Sequence, residues 1–144
     1  MSVQDVMRTS LYIPGNNPRF IAKAPTCGAD IVTFDIEDAV PPQEKANARK
    51  MTADSLKMAG SGGSEVYVRI NGWHTEWTND DLEAVVRPGL DGITLPKTRN
   101  ADDVKRLAVP LLRHRVVMTP AADIEGIGSE QALRDIIDQT AAPR

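Results

Sequence analysis

The sequence predicts an α/β protein with a parallel sheet. Short apolar segments alternate with segments of helical periodicity, and turn residues separate the two kinds. The apolar segments are nearly continuous rather than alternating with polar residues. Strands of this kind belong to sheets that are covered by helices, and strand–helix alternation is typical of parallel α/β folds. We count about five βα units and expect one domain over residues 1–144.

The predicted strands are short apolar or β-branched runs that end at turn signals or charged residues. In chain order they are Ser10–Ile13, Ala29–Phe34, Val66–Ile70, Gly92–Leu95 and Val116–Met118. Pro14-Gly15 follows the first strand, Asp35 the second, Asn71-Gly72 the third and Pro96-Lys97 the fourth. Each closing motif is a local reason for the strand to stop.

Helices are predicted between the strands from cap residues and apolar spacing. Their predicted starts are Asn17-Pro18, Pro41-Pro42, Asn79, Asn100 and Ser129. A cap side chain accepts a backbone N–H, and proline suits the first helical turn. Pro25 is expected to end or kink the first helix. The glycine-rich segment 60–64 is interpreted as a linker, because a phosphate-binding loop would end in Gly-Lys-Ser/Thr.

Composition excludes several functional classes. The 144 residues are 41% hydrophobic and carry a net charge of −3, so no basic field favours nucleic acid or anionic lipid. No apolar run reaches the roughly 18 residues of a membrane-spanning helix. The single cysteine, Cys27, forbids an internal disulfide, fits the cytoplasm and is interpreted as a core residue. Trp73 and Trp77 are interpreted as a loop-packing pair.

Charged residues collect where the second and third predicted strands end, and ligands bind at the carboxyl ends of parallel strands. Asp35, Glu37 and Asp38 place three acids within four residues, which repel unless a cation or donors lie among them. Oxygen ligands without Cys or His point to Mg²⁺. The alternative is that Glu37 and Asp38 cap a helix or face solvent.

Arg69 follows three strand residues and is therefore expected to be partly buried and paired. Its partner is either Asp35 or Glu37, or a substrate carboxylate, which its planar fork matches. Alternation along the strand places Arg69 on the same face as Tyr67, with its guanidinium beside Glu37.

Several motifs, taken in order, resemble a known family. They are Arg8–Ala24, Gly28–Asp30, Asp35–Pro41, Lys45, Ala48-Arg49, Val68–Asn71, Asp81-Leu82 and Gly92–Lys97. Together they resemble the HpcH/HpaI aldolase/citrate lyase family over about the first 100 residues, most of all its citrate lyase β-subunit and malyl-CoA lyase branch.

The resemblance implies a (β/α)8 TIM barrel, here incomplete, with about five of its eight units. It implies a carbon–carbon lyase that uses Mg²⁺ to cleave an acyl-CoA ester of a hydroxy acid, such as citryl-CoA or malyl-CoA, reversibly to acetyl-CoA and a 2-keto acid. The motifs do not distinguish lyase, thioesterase and aldolase activities. The expected partners are small molecules, an acyl-CoA or a 2-keto acid.

The resemblance also implies roles for individual residues. Arg69 would hold the substrate carboxylate, and Glu37 and Asp38 would orient metal-bound waters or neighbouring side chains. Arg19 and Lys23 would meet the CoA phosphates. The remaining positions carried over are Pro14, Gly15 and Lys97 for substrate binding and Glu125 for the metal. Lys97 is alternatively a surface cation.

The metal ligands depart from the family pattern, which leaves two hypotheses. The nearest match to the family's Ile-Glu-Thr motif is Ile124-Glu125-Gly126. The alternative is that the predicted strand 116–118 has lost the acid at its end. No motif for the second metal ligand is found in the sequence. In the first hypothesis the chain is a lyase whose site something else completes. In the second it is a truncated, non-catalytic relative, an interaction module or a vestigial fragment. Alone, it is expected to bind Mg²⁺ weakly or not at all, and open sheet edges favour a homo-oligomer.

Overall fold

The computed structural model describes residues 7–113, 116–119, 124 and 126–140. Its strands are β1 (Ser10–Pro14), β2 (Ile31–Asp35), β3 (Glu65–Arg69) and β4 (Gly92–Thr94). Its α-helices are α1 (Pro18–Lys23), α2 (Lys45–Ala59), α3 (Thr78–Val85), α4 (Ala101–Leu112) and α5 (Ser129–Gln139). Single 3₁₀ turns occupy Ala24–Thr26, Pro42–Glu44 and Gly60–Gly62.

The chain divides into two compact units, Met1–Pro96 and Lys97–Arg144. The first contains the sheet with α1, α2 and α3, and the second contains α4 and α5, which contact each other. Leu107 and Leu133 are the buried side chains of these two helices. A single domain over residues 1–144 stays a prediction. In the described ranges no helix combines the length and apolar character needed to cross a membrane.

The four strands form one parallel sheet in the order β1-β2-β3-β4. Crossovers between parallel strands are right-handed, so an order that never reverses places α1, α2 and α3 on the same face of the sheet. Contacts of α2 with both α1 and α3 agree with this arrangement. Sequential winding is that of a barrel rather than of a doubly wound sheet. The predicted α/β fold of barrel type is confirmed.

The two faces of the sheet differ in polarity. The face beneath the helices is the core, where Val32, Phe34, Val66 and Val68 are all fully buried. The opposite face carries two polar rows in register, listed from β1 to β3 as Tyr12, Thr33, Tyr67 and Pro14, Asp35, Arg69. The second row lies at the carboxyl ends of the strands and builds the site described below.

Two predicted helix starts and one predicted helix end are found in the structure. The Asn17 side chain accepts from the backbone N–H groups of Arg19 and Phe20, and the Asn100 side chain accepts from that of Asp103, so both caps are confirmed. The first helix ends at Lys23, just before Pro25, as expected. 

Four local predictions need correction. Residues 116–119 form no strand, and the Val117 side chain is 93% exposed, so it has no sheet to pack on and the described ranges contain four strands rather than five. Gly128, not Ser129, precedes α5. Helix α3 begins at Thr78, one residue before Asn79, and the Thr78 hydroxyl donates to the carbonyls of residues 71 and 72. Cys27 is partly exposed rather than in the core.

Candidate active site at the strand ends

The ends of β2 and β3 bring Asp35 and Arg69 side by side, because the two residues are register partners. Arg69 Nε donates to Asp35 Oδ1 at 3.0 Å, and Arg69 Nη2 donates to Asp35 Oδ2 at 2.5 Å. This is the two-point geometry that a planar guanidinium makes with a carboxylate. The Asp35 side chain is 5% exposed and the Arg69 side chain 26% exposed, so the carboxylate is buried while its partner keeps some contact with solvent.

Three further groups surround the Arg69 guanidinium. Glu37 Oε2 lies 3.6 Å from Nε, and Asp38 Oδ2 lies 4.0 Å from Nη2. The Tyr12 ring centre lies 5.3 Å from the guanidinium carbon, within cation–π range. The hydrogen bonds that Arg69 donates to Asp35 raise the pKa of Arg69, so the group stays charged. The predicted position of Arg69 beside Glu37 is observed, and its protein partner is Asp35.

Asp35 also shapes the loop that carries Glu37 and Asp38. Asp35 Oδ1 accepts from the Glu37 backbone N–H at 2.9 Å, and Oδ2 accepts from the Ala39 N–H at 3.2 Å. Aspartate commonly stabilises turns by bonding backbone groups a few residues ahead. Each Asp35 oxygen therefore serves one backbone amide and one Arg69 nitrogen, and the loop cannot move without disturbing the ion pair.

Lys45, at the start of α2, holds the backbone of the same loop, which follows β2. Its Nζ donates to the Ile36 carbonyl at 2.9 Å and to the Glu37 carbonyl at 2.5 Å. The Trp77 ring centre lies 5.2 Å from this nitrogen, and Lys45 is 6% exposed. Burial lowers the pKa of Lys45, since it disfavours the ammonium form. Trp77 thus packs on Lys45, and the interpretation of Trp73 and Trp77 as a loop-packing pair stays a prediction.

A second support runs from α3 to the loop through Asn71. Asp81 is 1% exposed, and its Oδ2 accepts from the Asn71 backbone and side-chain amides at 2.9 and 2.7 Å. The same Asn71 side chain donates to the Ile36 carbonyl at 3.1 Å. Arg49 Nε donates to Asp81 Oδ1 at 2.9 Å. In the sequence, Asn71 served as a turn signal and as part of a family motif, and Asp81 and Arg49 only as family matches. No local pattern in the sequence predicted that the three residues form one network.

The substrate-binding residues suggested by sequence fall into two groups. Gly15 joins the site, because its N–H donates to the Asp35 carbonyl at 2.9 Å and Pro14 is the register partner of Asp35. Arg19 and Lys23 lie exposed on α1, and no described hydrogen bond or ion pair connects them to Arg69. Lys97 has a left-handed backbone, with φ of 54°, and opens the second unit.

The predicted metal ligand, Glu125, lies outside the described residues. Within the described part, no group of three or more His, Cys, Asp or Glu side chains is placed to hold a metal ion. Both oxygens of Asp35 are already committed to Arg69 and to backbone amides. The described residues therefore do not by themselves fit the oxygen shell that Mg²⁺ requires.

Comparison with known proteins decides the family. The family model for HpcH/HpaI aldolase/citrate lyase matches residues 8–119, most of the chain. The chain belongs to this family. Membership in the HpcH/HpaI family confirms the resemblance found in the motifs, and the matched range contains Asp35, Glu37, Asp38 and Arg69.

Within the HpcH/HpaI family, two curated relatives are each 42% identical over 101 residues. The citrate lyase subunit beta of Leuconostoc mesenteroides subsp. cremoris is matched over 70% of this chain and 33% of its own length. The (3S)-malyl-CoA thioesterase of Cereibacter sphaeroides (strain ATCC 17023) is matched over 70% and 35%. The chain thus spans about a third of the length of the curated relatives it matches.

A solved structure shares the fold. It is the citrate lyase beta subunit of M. tuberculosis complexed with oxaloacetate and magnesium, which superposes with a TM-score of 0.57 at 34% identity. The match covers 69% of this chain and 42% of that one. At this identity the similarity reaches sequence as well as fold, and it places the chain among proteins of the citrate lyase beta type.

Proposed function

We propose that this chain carries the carboxylate-binding part of a carbon–carbon lyase site of the citrate lyase beta type. The reaction would cleave an acyl-CoA ester of a hydroxy acid, citryl-CoA-like or malyl-CoA-like, to acetyl-CoA and a 2-keto acid. The observation that carries the proposal is the Arg69 side chain, whose guanidinium is fixed by Asp35 at the strand ends and which is still 26% exposed. Oxaloacetate and magnesium in the related M. tuberculosis structure support a 2-keto acid as ligand.

The held geometry of Arg69 suits a second carboxylate. Asp35 takes Nε and Nη2, which leaves Nη1 to donate to a ligand oxygen. Because Asp35 and Tyr12 already fix the side chain, little rotamer entropy is lost when the substrate binds. Glu37 Oε2 and Asp38 Oδ2 lie 3.6 and 4.0 Å from guanidinium nitrogens, where they would orient water or the substrate hydroxyl. In the cleavage the hydroxyl loses its proton, the carbon–carbon bond breaks, and the thioester enolate takes up a proton.

Mg²⁺ would polarise the keto oxygen in such chemistry. The described residues do not complete a site for it.

A second candidate is a non-catalytic relative that binds the small acid without cleaving its ester. It rests on the same held Arg69 side chain, since a guanidinium can bind a carboxylate without a metal ion. Both candidates use Arg69 for the carboxylate, and they differ in catalysis alone.

One experiment separates these outcomes. The ¹⁵N-labelled chain is titrated with oxaloacetate, with and without Mg²⁺, and amide shifts are followed for the chain, Arg69→Met and the exposed control Arg87→Met. Shifts at the β2–α2 loop that Arg69→Met abolishes and Arg87→Met retains support the site. Cleavage of malyl-CoA or citryl-CoA by the same preparation supports the lyase, and binding without cleavage supports the non-catalytic relative. Absence of any Arg69-dependent shift overturns both.

A further inference from the structure

The buried carboxylate of Asp81 connects helix α3 to the ends of the strands. Its side chain is 1% exposed. Oδ2 accepts from both amides of Asn71, from the backbone N–H at 2.9 Å and from the side-chain Nδ2 at 2.7 Å, and Oδ1 accepts from Arg49 Nε at 2.9 Å. A buried carboxylate is costly unless it is hydrogen-bonded, so these three donors keep Asp81 at one place in the fold.

Asn71 transmits the position of Asp81 to the sheet. The Ile36 backbone N–H donates to the Arg69 carbonyl at 3.1 Å, as in a parallel ladder. In such a ladder the Ile36 carbonyl would accept from the backbone N–H of residue 71, but that N–H is bonded to Asp81. The Asn71 side chain donates to the Ile36 carbonyl instead, at 3.1 Å. Asp81 thus determines how the chain is joined immediately after Asp35 and Arg69.

Lys45, the second donor to the Ile36 carbonyl, is also stabilised by Asp81. Burial lowers the pKa of Lys45, and among the carboxylates that oppose this shift Asp81 contributes most. The negative charge of Asp81 therefore favours the ammonium form, which donates to the carbonyls of Ile36 and Glu37. Two donors from different elements meet at one carbonyl, and the same buried carboxylate stabilises both.

We infer that Asp81 is a positioning residue of the carboxylate site, acting through Asn71 and Lys45. It positions the segment after β2, which carries Glu37, and so sets the 3.6 Å separation between Glu37 Oε2 and Arg69 Nε. The inference rests on the proposed function in one respect, that Arg69 binds a substrate carboxylate. The effect of Asp81 on the surroundings of the guanidinium is independent of any ligand.

The neighbouring residue Asp80 provides a matched control. Asp80 Oδ2 lies 3.2 Å from Nη1 of the same Arg49, but the Asp80 side chain is 66% exposed and has no described hydrogen bond to Asn71. Asp81→Asn keeps the shape of the side chain and places an amide NH₂ group among donors, and Asp80→Asn makes the same change outside the network. Val85→Ala, at a fully buried position of α3, lowers stability by leaving a cavity and keeps the network intact.

The first readout needs no ligand. In ¹H–¹⁵N spectra of the full chain, the Arg69 Nε–Hε peak reports the surroundings of the guanidinium, and its absence from Arg69→Met identifies it. Asp81→Asn is expected to shift this peak, whereas Asp80→Asn and Val85→Ala should leave it in place. A peak that all three variants shift equally, or that none of them shifts, overturns the inference.

The second readout is the Kd for oxaloacetate, measured by titration of the same labelled proteins. Asp81→Asn should raise this Kd about tenfold, and Asp80→Asn and Val85→Ala should leave it unchanged. If Arg69→Met abolishes binding but Asp81→Asn binds like Asp80→Asn, the proposed function stands and the inference fails. If the unsubstituted chain does not bind, the proposed function fails, and the Nε–Hε peak alone decides the inference.

Asn71→Ala provides the same test if Asp81→Asn does not fold. This variant keeps the backbone N–H that Asp81 holds and removes only the side-chain donor to Ile36. We expect it to shift the Arg69 Nε–Hε peak and to weaken oxaloacetate binding as Asp81→Asn would. An Asn71→Ala chain that keeps both the peak position and the affinity of the unsubstituted chain overturns the inference.

Discussion

Lys45 donates a hydrogen bond to the backbone carbonyl of Glu37 across 2.5 Å, from the first turn of α2 to the loop after β2. The contact fixes the backbone of a candidate catalytic residue while leaving its carboxylate to face Arg69. A buried ammonium group is costly unless its hydrogens are bonded. The loop carbonyls meet that need, so the loop and Lys45 stabilise each other.

Replacing Lys45 by methionine is expected to loosen this loop. The chain length is kept, but the carbonyls of Ile36 and Glu37 lose their donor. The amides of Glu37 and Ala39, which donate to Asp35, should then exchange with solvent at least tenfold faster, as measured by hydrogen exchange in NMR. Lys50→Met, at an exposed position of the same helix, is the matched control and should leave these rates unchanged. Equal rates in chain and Lys45→Met would show that the loop does not depend on Lys45.

The pKa of Lys45 gives a pH-dependent prediction. Burial lowers this pKa below its ordinary value of 10.5 in the folded protein, so the unfolded chain binds more protons between the two values. The titration of Lys45 therefore contributes an increase in the free energy of unfolding as the pH rises toward 10.5. In Lys45→Met that contribution is absent, and the stability difference between the two proteins should change with pH below 10.5. Urea denaturation from pH 7 to 10 measures it, and a pH-independent difference would contradict the burial of the ammonium.

The Arg69–Asp35 pair should stabilise the fold as well as the site. Arg69→Met leaves the 5% exposed Asp35 carboxylate without its two-point partner. Because the Arg69 side chain is partly exposed, water screens the pair, and we expect a loss of about 1–3 kcal/mol. Arg69→Lys should recover only part of it, since an ammonium cannot make both bonds at once. The double variant Asp35→Asn/Arg69→Met should lose less free energy of unfolding than the two single variants lose together, because the two residues interact directly.

Gly15 is expected to resist substitution because of a close approach rather than its backbone angles. A Cβ at this position would lie 2.6 Å from both the Ile36 Cγ2 and the Thr52 Oγ1 atoms. Gly15→Ala should therefore displace the β1–α1 loop against the β2–α2 loop and lower the thermal midpoint. Gly128→Ala, where a Cβ meets nothing within 4 Å, is the control. Equal midpoints for both variants would contradict the packing described here.

The sequence could predict features that depend on neighbouring residues, but not those that depend on distant contacts. The Asn17 and Asn100 caps bond amides two or three residues away, so a short motif was sufficient to predict them. The expected strand at Val116–Met118 has the right composition, but a strand also needs a neighbour, and no local pattern supplies one. Hydrophobic runs alone therefore overcounted the strands.

The site divides in the same way. The acidic cluster and Arg69 stood out by composition, and alternation gave the correct face for Arg69. The choice of Asp35 as its partner depends on the register between β2 and β3, which brings together residues 34 positions apart. The role of Lys45 depends on Trp77 from another element. Supporting groups of this kind are brought together by tertiary packing, so their residue types alone do not predict that they belong to the site.

Asp30 connects the start of the edge strand to the rest of the sheet. Its Oδ2 accepts from the backbone N–H groups of Arg8 and Thr9 and from the Thr9 hydroxyl, each at 2.9 Å. The Arg8 backbone bond, followed by the Thr9 hydroxyl, lowers the pKa of Asp30 below its ordinary value of 3.8. These bonds favour the carboxylate, so the stability they contribute is present above pH 3.8 and is lost as pH falls through the lower, folded pKa.

Asp30→Asn should therefore destabilise the chain near neutral pH and matter less in acid. Urea midpoints of the chain and of Asp30→Asn should differ clearly at pH 6 and converge as pH falls below 3.8. Asp54→Asn, at an exposed position on α2, should show no such pH-dependent difference. Because Asp30 holds residues 8 and 9 at the beginning of β1, amide exchange in Ser10–Pro14 should rise in the variant at neutral pH. A midpoint difference that stays constant from pH 6 to pH 3 would show that the Asp30 charge does not anchor this strand.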